Sequence, residues 1–160
     1  MLTITRGDGY ELSDDPRRID IDRVHRWLST ESYWAKGRSR ALVARSIMGS
    51  TVFAAYRTTD GAQVAFARVV TDGATFAWLC DVFVDRAERG HGLGTWLVST
   101  ARDELAARGV RRILLATADA HGVYAKLGFE ALAEPARWMQ LDQRDQGMTT
   151  DGHSIVSSDH

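Results

Sequence analysis

Apolar positions recur along this chain with two different periods, and each change of period marks a change of element. Tyr10 to Ser13 reads as a short strand, limited by Gly7, Gly9, Asp14, Asp15 and Pro16. From Ile19 to Leu28, Ile21, Val24, Trp27 and Leu28 recur at helical spacing with Arg23 and Arg26 outside, which predicts a first helix. Ser29 to Gly37 reads as a loop. A second helix follows over Ser39 to Met48, with Leu42, Val43 and Ile47 apolar and Gly49 as its stop. Thr51 to Tyr56 and Gln63 to Val70 predict a hairpin turning at Thr59-Asp60-Gly61, and Thr71-Asp72-Gly73 leads into a central strand over Ala74 to Val84. A helix over Gly92 to Arg108 carries Leu93, Trp96, Leu97, Thr100 and Leu105 near one face and stops at Gly109. Arg111 to Ala116 is a continuous apolar run flanked by arginines, as in a strand buried on both faces. A short helix and two strands, near Phe129 to Leu132 and Arg137 to Leu141, close a single domain over residues 1–141. Residues 142–160 are almost devoid of apolar side chains, so the tail is expected to be disordered.

Composition changes this picture only by exclusion. A chain of 160 residues suits one domain with a substantial core, and a net charge of −1 lacks the basic excess of a general nucleic-acid binder. One cysteine, Cys80, cannot form a disulfide framework, and no apolar run approaches membrane-spanning length. The stretch Met1 to Gly7 lacks a signal-peptide apolar core, so a cytoplasmic location is expected, with neither membrane nor nucleic acid as partner.

The chemistry is concentrated where the central strand ends. Asp85-Arg86-Ala87-Glu88-Arg89-Gly90-His91-Gly92-Leu93-Gly94-Thr95 carries a strand through a glycine-rich turn directly into a helix. Glycines let a backbone approach a ligand closely, and the first N–H groups of a helix favour a phosphate. A P-loop would need Gly-Lys-Ser/Thr, but Thr95 and Trp96 follow Gly94, and the dinucleotide fingerprint begun at Gly90 fails at Thr95.

Arg89-Gly90-His91-Gly92-Leu93-Gly94 resembles the coenzyme turn of the GNAT superfamily of N-acetyltransferases, Arg/Gln-x-x-Gly-x-Gly/Ala. One helix and one strand further on, Tyr124-Ala125-Lys126-Leu127-Gly128-Phe129 matches that family's Tyr-x-x-x-Gly-Phe ending. The close resemblance spans about residues 76 to 132. It implies an α/β (α+β) fold: a GNAT-type mixed, mostly antiparallel central sheet flanked by helices, with splayed central strands. It also implies acetyl-CoA as co-substrate and no metal. The pyrophosphate would lie on Arg89, Gly90, His91, Gly92, Leu93, Gly94 and Thr95, and pantetheine would pair with the backbone of Val82, Phe83 and Val84.

The same resemblance gives the remaining candidates their roles. Tyr124 stands at the family's acid position, where it would protonate the departing thiolate; the plain alternative is a ring packed on the core. Asp81 interrupts the apolar run Trp78 to Val84 and needs a partner or a cavity. It is therefore either a base or acceptor-binding group, or a carboxylate satisfied by a backbone or arginine contact. Some relatives pass the proton to water instead. His121 lies one helical turn before Tyr124 beside Asp119, although Thr117 stands where many family members carry asparagine. His91 reads as a solvent-facing spacer in the turn, and Cys80 as a small buried hydrophobe. Tyr33 and Trp34, in the loop that commonly lines the acceptor pocket, would offer aromatic walls to an amine or pin the loop to the core.

The expected activity is transfer of an acetyl group from acetyl-CoA to a primary amine by direct attack in a ternary complex. A non-catalytic acyl-CoA sensor or interaction module on the same scaffold is the alternative, and a nucleotide-binding domain is disfavoured by the missing lysine. The acceptor is a small-molecule or peptide amine whose identity, like the acyl-chain preference, is left open. Dimers are common in the family, so a homodimer is admitted by the resemblance.

Overall fold

A computed structural model describes residues 1–144. Six strands form one sheet in chain order: β1 (Thr3–Arg6), β2 (Tyr10–Ser13), β3 (Thr51–Arg57), β4 (Gln63–Thr71), β5 (Ala77–Val84) and β6 (Ile113–Leu114). Neighbours run antiparallel except β5 and β6, which are parallel. The sheet is therefore mixed and mostly antiparallel, as expected. Helices α1 (Ile21–Arg26) and α2 (Arg40–Met48) cover one face, and α3 (Leu93–Ala107) covers the other. A five-residue helix α4 (His121–Ala125) follows β6.

Each cap has a local cause. The Asp20 carboxylate accepts from the Arg23 N–H at the start of α1, and the Ser39 hydroxyl accepts from Leu42 N–H at the start of α2. The first helix continues past Arg26 as a π-helical turn over Trp27–Glu31, which sinks Trp27 and Leu28 into the core under the sheet. In α3 the residues facing the sheet are Leu93, Leu97, Val98, Ala101 and Leu105, while Trp96 sits half-buried at the edge of that face.

The structure departs from the sequence reading at both ends of the sheet. Strand β1 was not expected. Its Thr-Ile-Thr run is short, and it survives as an edge strand by pairing with β2 over four residues. Strand β6 shrinks to two residues, with Leu114 buried, Ile113 and Leu115 half-buried, and Arg111 and Arg112 exposed at its start. It is thus not the doubly buried strand the apolar run suggested. The two closing strands near Phe129–Leu132 and Arg137–Leu141 are absent from residues 130–144, where Pro135 opens a single 3₁₀ turn over Pro135–Arg137. Proline has no N–H for a ladder and favours a turn there. The chain divides at this point into two units, 1–129 and 130 onward. Of the expected tail, residues 145–160 lie outside the described part.

Two features of β5 prepare the site. Beyond Trp78 the strand has no ladder partner on its β6 side among the described residues, because that pairing is limited to Ala77 with Ile113 and Trp78 with Leu114. On its β4 side, Phe66 faces Phe83 but Arg68 faces Cys80, so Ala67 stands opposite both Asp81 and Val82. This is a β-bulge, and Asp81 in it has φ +53°, the only positive value among the described non-glycine residues. Aspartate is among the few residues that tolerate this left-handed conformation. Strict alternation from Leu79 would have put the carboxylate in the apolar core beneath α3. The bulge turns it out and leaves Val82 and Val84 to pack there instead.

Candidate active site

The end of β5, the glycine turn and the start of α3 form one continuous surface. Gly90 has φ +90° and Gly92 φ +70°, and Gly92 is the residue preceding the helix, with no side-chain cap. The first backbone bond into α3 runs from Trp96 N–H to the Gly92 carbonyl. Among the described residues the N–H groups of Gly90, His91, Gly92, Leu93, Gly94 and Thr95 donate to no acceptor. Six consecutive free donors at the positive end of a helix dipole suit a pyrophosphate. Leu93 is buried, so only its backbone is available to a ligand. A Cβ at Gly94 would lie 3.4 Å from Val84 Cγ2, the edge of ordinary contact, which shows how closely α3 packs against β5.

The turn is braced from strands far away in sequence. The Arg6 guanidinium donates to the His91 carbonyl at 2.8 Å while it lies over the Trp96 ring and pairs with Asp8. His91 itself bends inward, with Nδ1 2.9 Å from the Glu88 carbonyl and its ring 5.8 Å from that of Tyr10. It is exposed, but it is tied to the turn rather than a free spacer. Glu88 is buried: Tyr10 OH donates to its Oε2 at 2.5 Å, and Arg57 pairs with its other oxygen. The hydrogen bond to Glu88, more than burial, pushes the Tyr10 hydroxyl above its ordinary pKa. Arg89 folds back so that Nε donates to the Val84 carbonyl at 3.2 Å and the guanidinium lies over Phe83. Tyr10, Arg6 and Arg57 were missed by sequence reasoning, since only the pairing of β1, β2 and β3 brings them to the turn, and Glu88 shows no sign in the sequence of the Tyr10 and Arg57 that hold it.

Asp81 is buried and fully engaged. Trp34 Nε1 donates to Oδ1 at 3.1 Å, and Arg38 Nη1 and Arg68 Nε both donate to Oδ2 at 2.8 Å. Of the two readings open for Asp81, this geometry supplies the arginine contact that one of them required. Neither Arg38 nor Arg68 had been singled out. Arg68 was detectable in principle, because it interrupts the apolar run of β4 as Asp81 interrupts that of β5, and the two strands are neighbours.

The aromatic loop spans the rest of the site. Tyr33 and Trp34 pack edge to face with centroids 5.0 Å apart, and both remain partly exposed. The Tyr33 hydroxyl accepts from the Ala118 N–H at 3.0 Å, linking this loop to the segment before α4. Tyr124, in α4, is half-buried against the core under α3, with its ring edge to face on Phe129 at 5.8 Å. Burial first, then the proximity of Tyr33 and Asp119, raises its pKa above the usual 10. It is therefore a protonated phenol at neutral pH. His121, at the first position of α4, is exposed. Cys80 is pushed up to about 11, chiefly by burial. No cluster of metal-ligating side chains occurs among the described residues, and no described helix is long and apolar enough to cross a membrane.

The family model of the acetyltransferase (GNAT) family matches residues 21–129, and the chain belongs to that family. It is similar to a candidate acetyltransferase of Gibberella zeae, 29% identical over 140 residues that span 76% of this chain and 78% of that one. Among solved structures it is similar to a candidate GNAT acetyltransferase from Xanthomonas campestris pv. campestris, with a TM-score of 0.78 and 43% identity over 83% of this chain and 92% of the other. A candidate acetyltransferase from Clostridium acetobutylicum, crystallised with acetyl-CoA, shares the fold at a TM-score of 0.63 and 18% identity, over 84% of this chain and 95% of the other.

Proposed function

We propose that the protein is an N-acetyltransferase that moves the acetyl group of acetyl-CoA to a primary amine in a ternary complex. The observation that carries this is the run of six unpaired N–H groups from Gly90 to Thr95, which begins where the unpaired edge of β5 ends. Pyrophosphate would occupy the turn, and pantetheine would run along Val82, Phe83 and Val84 as a further strand partner. That placement delivers the thioester toward Tyr124 and the aromatic loop.

The amine attacks the thioester carbonyl carbon as a neutral nucleophile, the tetrahedral oxyanion collapses, and the carbon–sulfur bond breaks. Tyr124 gives its phenolic proton to the leaving thiolate, and its raised pKa keeps that proton in place until then. Asp81, expected as a base or acceptor-binding group, acts here as an anchor. Two guanidiniums and an indole occupy its oxygens, so the proton of the attacking amine leaves through water. Tyr33 and Trp34 line the acceptor's approach.

Thermal shift with acetyl-CoA, CoA, ATP and NAD tests the reading. A ligand at 100 Kd adds about 2.7 kcal/mol, so acetyl-CoA and CoA should raise Tm by roughly 5–10 °C while ATP and NAD do not. Release of free thiol with an amine panel then separates an enzyme from a coenzyme-binding module. No shift with either thioester or thiol removes the coenzyme reading and the role of Tyr124 with it.

A further inference from the structure

Resting on that reading, we infer that the acceptor carries an anionic group in addition to its amine, a carboxylate or a phosphate, and that Arg38 and Arg68 bind it. Asp81 takes one N–H from each arginine, both on the same oxygen. Arg68 gives one more, from Nη1, to the Ser50 hydroxyl at 3.1 Å. A guanidinium has five N–H donors, and among the described residues the side-chain nitrogens Arg38 Nε and Nη2 and Arg68 Nη2 donate to nothing. None of these is a sealed orphan, since the unpartnered buried atoms are Arg23 Nε and Tyr56 OH. Their side chains keep 21% and 14% of their surface in solvent, against 2% for Asp81. The remaining donors therefore open outward from a fixed carboxylate.

Charge points the same way. Two guanidiniums share one carboxylate, which leaves one positive charge in excess at this cluster. Glu31 does not supply the balance, because it pairs with Arg86. Asp119 lies at the Tyr124 end, where it helps to raise the pKa of that hydroxyl. A planar fork with unused donors, fixed at its base by Asp81, matches an oxyanion in geometry and charge. The cluster is also tied to the reacting end: Asp81 holds Trp34, Trp34 packs on Tyr33, and Tyr33 sits close enough to Tyr124 to raise its pKa. An acceptor reaching from Tyr124 along this loop would meet the arginines with its anionic end.

Matched acceptor pairs test this: L-phenylalanine against 2-phenylethylamine, L-lysine against 1,5-diaminopentane, and glucosamine 6-phosphate against glucosamine. The expected result is a kcat/KM about 10- to 100-fold higher for the anionic member of at least one pair, carried mainly by KM; which pair responds distinguishes carboxylate from phosphate. Arg38→Gln, and independently Arg68→Gln, should narrow that ratio at least tenfold. A merely structural role would lower both members of a pair alike. Equal rates within every pair, a preference for the neutral members, or a ratio unmoved by both variants overturns the proposal. So does acetyl-CoA binding with no transfer to any anionic acceptor. Absence of an acetyl-CoA thermal shift in the wild type is a separate failure, that of the acetyltransferase reading itself.

Discussion

The proposed coenzyme turn and the proposed acceptor side of this protein are built in opposite ways. The turn is one contiguous stretch from Val84 to Thr95, and the groups proposed to bind the ligand are backbone N–H donors in a glycine-rich turn. The acceptor side is assembled from the 33–38 loop, β4, the bulge of β5 and α4, and its working groups are side chains. The first therefore depends on backbone conformation and the second on long-range pairing. Mutations should respect that division.

The largest effect is expected from Tyr124→Phe, which removes the proposed proton donor without touching the turn. kcat should fall about 10²- to 10⁴-fold, with the acetyl-CoA dissociation constant little changed by calorimetry; wild-type turnover would take Tyr124 out of the reaction. Gly92→Val attacks the opposite side, since a β-branched residue at φ +70° is strained by about 1–3 kcal/mol. Acetyl-CoA affinity should drop roughly 5- to 150-fold. Gly109→Val, at φ +89° after α3, imposes the same strain away from the turn, so it should lower Tm while leaving that affinity intact. If both variants bind alike, the cradle lies elsewhere.

Asp81→Asn sharpens the contrast from the acceptor side. Asparagine tolerates the left-handed backbone, but it leaves two guanidiniums facing a neutral amide. About 3 kcal/mol of stability should be lost, seen as a Tm drop of roughly 6–12 °C, while the further stabilisation by acetyl-CoA persists. Tyr10→Phe removes one donor from Glu88 and should weaken acetyl-CoA about three- to tenfold with kcat retained at saturation. The smallest expected effect is of pH on Tyr124. An acid works while protonated and is lost as pH rises through its pKa, which here is displaced upward. kcat should therefore show no decline assignable to Tyr124 between pH 7 and 9; a falling limb near pH 8 that disappears in Tyr124→Phe would contradict the environment described.

What could be read in the sequence follows the same division. Gly90, Gly92, Gly94 and Tyr124 sit in short motifs whose spacing is itself the signal, and α2, β3, β4 and α3 carry clear periodicity between turn residues. Residues that act through distant pairing left no local mark: Arg38 is an ordinary loop arginine, and Glu88 an ordinary acid in a polar turn, until the sheet assembles. Strand β6 was over-read for a related reason. An apolar run reports a tendency to be buried, but the length of a strand is set by its neighbour, and β5 turns away after two pairs. Arg137 to Leu141 was over-read too, because apolar character cannot show whether a ladder partner exists.

Cys80 gives the protein an unexpected convenience. With its pKa pushed up to about 11, chiefly by burial, Cys80 is far less ionised at pH 8 than an ordinary exposed thiol near 8.5. Electrophiles, disulfides and peroxide react with thiolates, so this chain's single sulfhydryl is nearly blind to them. The proposed transfer would release a coenzyme thiol, and a thiol-specific dye would read it against a weak protein background.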